Sequence, residues 1–319
     1  MAMQRPQRAV VTGGGGFIGS HVCDKLLAAG TEVVCVDNFS TGHRSNVEHL
    51  ADHPGFTLIE ADVTEEFEIR DPVTLVLHLA SPASLPEFAR LPIETMLAGS
   101  AGTYNTLRIA RRHGARYVLA STSEVYGDPL EHPQKETYWG HVNPIGPRAV
   151  YDEAKRYAEA MTVAFRQTYG VDTGIVRIFN SYGPRMRDDG RVIPNFIAQA
   201  LDGVPLLIHG DGEQTRSPCY VDDTVRGILA VASSGLGQPV NIGNVEEISV
   251  LGLARLARDA VGSGSPFKHV EADHDDPRRR RPDISLARRE LGWEPRVSFA
   301  EGLGLTVAAM RQARQGLSG

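Results

Sequence analysis

The stretch AVVTGGGGFIGSHVCDKLLAAG, residues 9–30, decides the fold of this chain. Its first four residues predict a buried β-strand. Ile18, Val22 and Leu26 then recur at four-residue spacing, which predicts a helix that ends at Gly30. The glycines between the two elements allow the chain to turn tightly from strand to helix. The stretch therefore predicts the first strand and helix of a parallel sheet that is covered by helices.

The same alternation of strands and helices continues through the first half of the chain. Further strands are predicted at 33–36, 57–60, 75–79, 117–121 and 174–178, and helices at 93–112 and 150–169. Short apolar strands that alternate with longer helical patterns are typical of a sheet buried on both faces. The sequence therefore predicts the α/β class, with a doubly wound parallel Rossmann sheet.

The rhythm changes beyond about residue 180, where the elements become shorter and turn residues more frequent. We therefore expect a Rossmann domain over residues 1–180, with a later segment near 221–248 returning to it. Residues 181–319 are expected to form mainly a smaller, C-terminal substrate-binding domain. A ligand cleft is expected between the two domains.

Composition narrows the class of partner. The net charge of -6 disfavours non-specific binding to nucleic acid, which requires a broad basic face. We find neither a signal-peptide pattern at the start nor an apolar run long enough to span a membrane, so we expect a cytoplasmic protein. Cys23, Cys35 and Cys219 lack Cys-x-x-Cys spacing, which favours core packing over metal or redox chemistry. The expected partner is a small molecule, and no metal site is predicted.

The glycine cluster predicts a dinucleotide site. Gly13, Gly16 and Gly19 allow a pyrophosphate to approach the backbone amides at a helix N-terminus. Asp37 ends the second predicted strand, where a carboxylate accepts hydrogen bonds from the adenosine ribose and repels a 2′-phosphate. NAD is therefore favoured over NADP, although the basic pair at 43–44 leaves room for a phosphate. Further cofactor contacts are predicted at Phe17, Ile18, Asn38, Asp62, Val63, Leu79 and Ala80.

Four side chains form the candidate catalytic group. Tyr151 and Lys155 lie four residues apart on one predicted helix and so share a face. A tyrosine with its ordinary pKa of about 10 is a poor base at neutral pH, so Lys155 and a nicotinamide cation are expected to lower that pKa. Thr122 lies where a strand ends and can bond the substrate hydroxyl. Glu124 suggests a second proton transfer. The group predicts oxidation of an alcohol carbon.

At these residues the chain resembles the extended short-chain dehydrogenase/reductases that act on nucleotide sugars, and within them most closely the UDP-glucuronic acid decarboxylases. The segments that carry the resemblance are STSEVYGDP (121–129), NPIGPR (143–148), YGPRM (182–186) and DDPRRRRPDI (275–284). The resemblance implies a sugar-nucleotide substrate for the C-terminal domain. It also implies a homodimer packed through long helices, including the helix that carries Tyr151.

The resemblance also implies residue roles. Thr122, Tyr151 and Lys155 would form the dehydrogenase group, with Tyr151 and Lys155 also contacting NAD, and Glu124 would be the added acid/base or positioning residue. Arg280 would reach the substrate carboxylate or help to protonate the product. The residues expected to bind the substrate are Ser123, Asn180, Arg185, Arg216 and Arg280.

The implied reaction is an internal redox cycle. Tyr151 would deprotonate the sugar C4 hydroxyl while hydride passes to NAD, and the resulting 4-keto uronic acid would lose carbon dioxide. Protonation at C5 and return of the hydride would give UDP-xylose. Alternatives that share the tyrosine and lysine are a UDP-sugar 4-epimerase and a nucleotide-sugar 4,6-dehydratase. A non-catalytic NAD-binding regulator is a further alternative, from another class of protein.

The chain departs from this family at four positions. The family usually has lysine where Leu97 stands and asparagine where Gly99 stands, and it typically has Phe-Gln where Pro218 and Cys219 stand. These positions are expected near the active site. From Leu97 and Gly99 we predict that some UDP-4-keto-pentose escapes before the final reduction.

Overall fold

The computed structural model describes residues 6–271 and 277–316. The strands, in chain order, are β1 (Arg8–Thr12), β2 (Glu32–Asp37), β3 (Phe56–Glu60), β4 (Leu75–His78), β5 (Arg116–Thr122), β6 (Thr173–Ile178), β7 (Ser181–Tyr182), β8 (Leu206–His209), β9 (Thr215–Arg216), β10 (Cys219–Tyr220), β11 (Pro239–Ile242), β12 (Ile248–Ser249), β13 (Phe267–Val270) and β14 (Arg279–Arg280). The α-helices are α1 (Phe17–Ala28), α2 (Leu85–Arg90), α3 (Pro92–Leu97), α4 (Thr103–His113), α5 (Ala149–Tyr169), α6 (Val192–Leu201), α7 (Val221–Ala232), α8 (Val250–Val261), α9 (Ser285–Leu291) and α10 (Phe299–Gly316).

A seven-stranded parallel sheet forms the centre of the molecule, in the order β11-β6-β5-β4-β1-β2-β3. All seven residues of β5 and all four of β4 are buried, because helices cover both faces of the sheet. The doubly wound α/β class predicted from the sequence is confirmed. The first six strands lie within one or two residues of their predicted positions.

The helix predicted at 93–112 has an internal irregularity. α3 and α4 are joined by a π-helical segment, Ala98–Gly102, so the stretch is continuous but not uniformly α-helical. Small residues in this segment let it approach α5 closely: a Cβ on Gly99 would lie 2.7 Å from the Cβ of Ala154. The π segment thus lies directly against the helix that carries Tyr151.

The second half of the chain packs onto the first through one hydrophobic core. Helix α7 packs against α1, and β11 then pairs with β6 at the edge of the central sheet. The core cluster joins Val11 and Val22 of the first half to Ile197 and Trp293 of the second half. The small sheets β12-β9-β14 and β13-β8 lie outside the central one.

The carboxyl ends of the parallel strands lie at one edge of the sheet. Thr12 and His78 end neighbouring strands there, and the Thr12 hydroxyl lies 2.8 Å from Nδ1 of His78. Burial lowers the pKa of His78 to about 3, so this ring is neutral at physiological pH. Of the helices in the described ranges, none has the length and hydrophobicity needed to cross a membrane.

Candidate active site

A cavity of about 690 Å³ lies at this edge, between the central sheet and the second half of the chain. Every residue that the sequence predicted for the site lines it. On the cofactor side these residues are Gly13, Gly16, Phe17, Ile18, Gly19, Asp37, Asn38, Asp62, Val63, Leu79 and Ala80. On the catalytic and substrate side they are Thr122, Ser123, Glu124, Tyr151, Lys155, Asn180, Arg185, Arg216 and Arg280. The fold therefore brings both groups into one continuous site.

The glycine loop fits a dinucleotide pyrophosphate. Gly13 has a φ of 72°, and a Cβ there would lie 2.7 Å from the backbone nitrogen of Ala80. A Cβ on Gly19 would collide with the carbonyl oxygen of Gly13. Helix α1 begins after extended Gly16 with neither a side-chain cap nor an acidic residue in its first turn. Its first amides can therefore bind an anion.

Asp37 is fixed at the wall of the cavity by the same loop. Its carboxylate oxygens accept hydrogen bonds of 2.8 Å from the backbone amides of Gly15 and Phe39. Burial raises the pKa of Asp37, although these two bonds oppose the rise. Arg44, from the basic pair at 43–44, forms an ion pair with Glu60 and stacks on the ring of Phe39. These contacts favour a ribose hydroxyl over a 2′-phosphate beside Asp37.

The end of β5 and the first turns of α5 form the catalytic group. The Tyr151 hydroxyl is hydrogen-bonded to Thr122, and Lys155 Nζ donates to the carbonyl oxygen of Ala120 at 3.0 Å. Phe88 stacks on the Tyr151 ring with centroids 5.4 Å apart. Phe88, which lies in none of the sequence motifs, helps to keep the tyrosine out of water.

The electrostatics of this group differ in part from the prediction. Burial raises the pKa of Tyr151, the charge of Glu124 raises it further, and the bond with Thr122 opposes the rise. Burial also lowers the pKa of Lys155 to about 8, so the lysine is mostly cationic at neutral pH. Burial and the charge of Glu124 therefore outweigh the groups that lower the pKa of Tyr151 in the protein alone. The combined effect of Lys155 and a nicotinamide cation stays a prediction.

Glu124 lies in a buried cluster with two arginines. Its Oε2 accepts from Arg148 Nη2 at 2.9 Å, and its Oε1 is paired with Arg280, whose Nη2 also donates to the carbonyl oxygen of Gly127 at 3.2 Å. Burial favours the neutral form of Glu124, but the two arginines hold its pKa well below the usual value. Glu124 is therefore an anion in this arrangement. No role was predicted for Arg148, although it ends the segment 143–148 that carries part of the family resemblance.

Three residues that were predicted to bind the substrate, Asn180, Arg185 and Arg216, also line the cavity. Arg216 is buried, and its Nη1 donates to the carbonyl oxygens of Thr215 and Pro277 at 2.8 and 2.9 Å. Arg185 forms an ion pair of 2.8 Å with Asp24 of α1. Asn180 and Arg185 both have positive φ, at 26° and 65°, a conformation that is concentrated at functional sites.

The four departures from the family occupy different environments. Leu97 and Pro218 line the cavity, whereas Cys219 is fully buried beneath it. Gly99 packs on Ala154 rather than facing the cavity. Of the segment 275–284 that carried part of the resemblance, Asp275 and Asp276 lie outside the described residues.

The chain is similar to nucleotide-sugar enzymes by sequence and by structure. The family model described as GDP-mannose 4,6 dehydratase matches residues 10–306. UDP-glucuronic acid decarboxylase 1 of Xenopus tropicalis is 52% identical over 307 residues, which cover 96% of this chain and 72% of that protein. UDP-glucuronic acid decarboxylase 6 of Arabidopsis thaliana is 48% identical over 95% of this chain and 88% of its own length.

Solved structures with the same fold include enzymes of other nucleotide-sugar reactions. UDP-glucose 4-epimerase of Thermotoga maritima, solved with UDP-glucose, superposes with a TM-score of 0.88 at 33% identity and covers 96% of this chain and 99% of that one. The dTDP-glucose 4,6-dehydratase of Streptomyces venezuelae, solved with NAD, gives a TM-score of 0.87 at 30% identity and covers 97% and 98% of the two chains.

Proposed function

This chain belongs to the UDP-glucuronic acid decarboxylase family of extended short-chain dehydrogenase/reductases, and we propose that it converts UDP-glucuronic acid into UDP-xylose with NAD as its cofactor. The observation that carries the proposal is a shared cavity. It is lined by Thr122, Tyr151 and Lys155, together with buried Arg280 and partly exposed Arg148. Such a site can oxidise a sugar hydroxyl and hold a carboxylate at the same time.

The glycine loop and Asp37 would hold the pyrophosphate and ribose of NAD. When bound, the nicotinamide supplies a reversible hydride acceptor and a positive charge beside Tyr151. The tyrosine removes the proton from the C4 hydroxyl, and Thr122 orients that hydroxyl through its own oxygen. Lys155 adds a cation in a dry site, where a charge acts most strongly.

Loss of carbon dioxide follows from the position of the ketone. Once C4 is oxidised, the carboxylate on C5 is β to a carbonyl, so the C5–C6 bond can break with its electrons delocalised into an enolate. Hydrogen bonds from Thr122 and the now protonated Tyr151 stabilise the enolate oxygen. Proton addition at C5 gives the 4-keto-pentose, and reduction at C4 completes UDP-xylose. Arg280, which lines the same cavity, would hold the leaving carboxylate.

A 4-epimerase and a 4,6-dehydratase are the rival activities, since solved enzymes of both kinds share this fold. Neither reaction breaks a bond to a carboxylate, although a 4-epimerase can act on a uronic acid. The two arginines around Glu124 favour a substrate with a carboxylate, because guanidinium groups bind carboxylates through charge-assisted hydrogen bonds.

The test is mass spectrometry of the nucleotide products after incubation with UDP-glucuronic acid and NAD, with Tyr151→Phe as the control. Loss of carbon dioxide that depends on Tyr151 is the expected result. An isomer of unchanged mass would favour an epimerase. No reaction with this substrate would direct the search to neutral sugar nucleotides, or to a binding protein without catalysis.

The same experiment tests a finer proposal about Leu97 and Gly99. We propose that these departures from the family let part of the UDP-4-keto-pentose leave before it is reduced. The expected result is a mixture of keto and reduced pentose nucleotides with accumulated NADH. Absence of both the keto product and NADH would overturn this proposal and leave the decarboxylase assignment intact.

We further propose a cytoplasmic homodimer whose ligands are small molecules rather than nucleic acid or membranes. Cys23, Cys35 and Cys219 are buried free thiols, which suits a reducing compartment. An exposed apolar surface on α3, α4 and α5 supports the dimer.

A further inference from the structure

A second cavity lies behind the Glu124 cluster. Its volume is about 330 Å³, and its wall includes Glu124, Arg148 and Arg280, which also line the large cavity. These three side chains therefore form a partition between the two cavities. Asp152 lines the second cavity and not the first. It follows Tyr151 in α5, so it sits one residue from the catalytic tyrosine but on the far side of the partition.

The carboxyl group of Asp152 is buried without a matching partner. The residue is only 5% exposed, and its Oδ1 has no hydrogen-bond partner among the described residues. Within the same ranges no ion pair joins it to Arg148 or Arg280, whose guanidinium groups both pair with Glu124. A buried carboxylate is unfavourable unless it is paired and hydrogen-bonded. The geometry therefore favours the protonated form of Asp152.

We propose that Asp152 is a positioning residue that sets the affinity of the active site for the substrate carboxylate. A neutral Asp152 adds no charge beside Arg148 and Arg280, which line the large cavity. An ionised Asp152 adds one negative charge there and weakens the attraction of the two arginines for a carboxylate. The inference rests on the proposed function, because it concerns the carboxylate of UDP-glucuronic acid.

Asp152 is poised to titrate near neutral pH. Burial and then the charge of Glu124 raise its pKa to about 7, and Arg148 and Arg280 oppose the rise. The charged or titratable groups around it are Glu153 on its own helix, Glu124, Arg148 and Arg280 in the partition, and Asp128 and His141 across the second cavity. Because binding and protonation are linked, a bound carboxylate should raise the pKa of Asp152 further, so that the protein takes up a proton when the substrate binds.

Titration calorimetry of NAD-loaded Tyr151→Phe tests the proposal without turnover. Between pH 6 and pH 8.5 we expect the Kd for UDP-glucuronic acid to rise about tenfold, because the negative charge of an ionised Asp152 repels the substrate carboxylate. The Kd for UDP-glucose should stay constant. At pH 7.5, proton uptake should accompany binding of UDP-glucuronic acid only, seen as a dependence of the heat on the ionisation enthalpy of the buffer.

Two further variants on the same background assign the effect. Asp152→Asn should bind UDP-glucuronic acid with little pH dependence and without proton uptake, whereas Glu153→Gln, a matched control one residue away, should behave as its parent. A pH-dependent Kd or proton uptake that persists in Asp152→Asn would overturn the proposal, and so would their absence from the parent. If Asp152→Asn does not fold, proton uptake is compared in the parent and in Glu153→Gln. Uptake in both supports the proposal, and its absence from the parent overturns it. Failure of the proposed function is separate: it would appear as a lack of carbon dioxide release by the enzyme with Tyr151 intact.

Discussion

Lys155 is a buried cation in the active site. Burial lowers the pKa of this lysine to about 8, against an ordinary value of 10.5. Below pH 8 the group is charged in the folded and in the unfolded protein, so the folded state bears the full unfavourable burial of the charge. Between pH 8 and 10.5 the unfolded state binds more protons, so the stability of the wild type rises with pH through that window.

Lys155→Met should therefore separate stability from activity. At pH 7 we expect its free energy of unfolding to exceed that of the wild type by about 1–3 kcal/mol, with the difference shrinking as pH approaches 10. We expect kcat to fall at least about a hundredfold, because Tyr151 loses its neighbouring cation. Urea unfolding at several pH values and steady-state assays measure both. Lys25→Met, at a half-exposed lysine, is the control and should change neither. A less stable Lys155→Met protein at pH 7 would contradict the argument.

Glu124→Gln tests the buried cluster. The substitution leaves Arg148 and Arg280 buried without their anion, so we expect a loss of about 3–5 kcal/mol in the free energy of unfolding. Thermal or urea unfolding measures it, with Glu153→Gln as the control at an acid that pairs with Arg156 on the same helix. Equal stability of the two variants would show that the cluster does not hold the fold together.

The sequence predicted which residues form the site better than it predicted their charge states. Motif spacing located Tyr151, Lys155 and Glu124, because local patterns fix them on a helix or at a strand end. The pairing of Glu124 with Arg280 joins residues 156 positions apart, which no local pattern shows. The raised pKa of Tyr151 arises from burial by Phe88 and its other neighbours, and burial of that kind is a property of the folded chain.

Among the elements, the π segment between α3 and α4 positions the catalytic helix. A Cβ on Gly99 would lie 2.7 Å from both the Cβ and the carbonyl oxygen of Ala154, so Gly99→Ala must push the segment away from α5. We expect a loss of about 1–3 kcal/mol in stability and a fall in kcat that exceeds the change in NAD affinity, because α5 carries Tyr151 and Lys155.

The control for Gly99→Ala is Gly304→Ala in α10, where an added Cβ meets nothing within 4 Å. There we expect a gain in stability of about 0.5–1 kcal/mol, the usual effect of replacing glycine inside a helix. Differential scanning calorimetry and single-turnover assays compare the two. Similar effects of both substitutions would mean that the close approach to α5 does not matter.

The sequence predicted these helices from the spacing of their apolar residues. That spacing does not distinguish a short π-helical segment from an α-helix. The irregularity depends on contact between Gly99 and Ala154, which belong to different helices. The two-residue strands β9, β12 and β14 escaped prediction for a related reason. They are too short for a period and exist because Arg216 and Arg280 lie side by side in the folded chain.

The sequence predicted a Rossmann domain over residues 1–180, to which a segment near 221–248 returns, and a second domain over most of 181–319. In the structure the two halves of the chain share one hydrophobic core. Strand β11 follows residues of the second half yet completes the edge of the central sheet beside β6. Arg116 of β5 pairs with Asp172 and donates to the carbonyl oxygens of Val231 and Leu236 at 3.0 and 2.9 Å. A shared core of this kind keeps the cavity walls in a fixed relation, so the cofactor and substrate sides stay aligned.

An exposed apolar surface on α3, α4 and α5 leads to the prediction for the assembly. Its large apolar side chains are Ile93, Met96, Tyr104, Tyr157 and Tyr169. Ile93 is 64% exposed and Tyr157 is 48% exposed. Exposed large apolar side chains on helices that pack together are typical of a contact surface. The opposite side of α5 buries Tyr151 and Lys155, so a second copy of the chain can cover the exposed side without blocking the site.

Light scattering after size-exclusion chromatography should therefore give twice the chain mass of 34.6 kDa. Ile93→Glu combined with Tyr157→Glu places two charges at the contact and should give a monomer, because a buried unpaired charge is strongly unfavourable. Leu256→Glu, at an exposed leucine of α8 away from this surface, should stay dimeric. A monomeric wild type would rule out the dimer. A double variant that remains a dimer would place the contact on another surface. Since α5 carries the catalytic tyrosine, the monomer should also lose activity as its outer side becomes exposed to water.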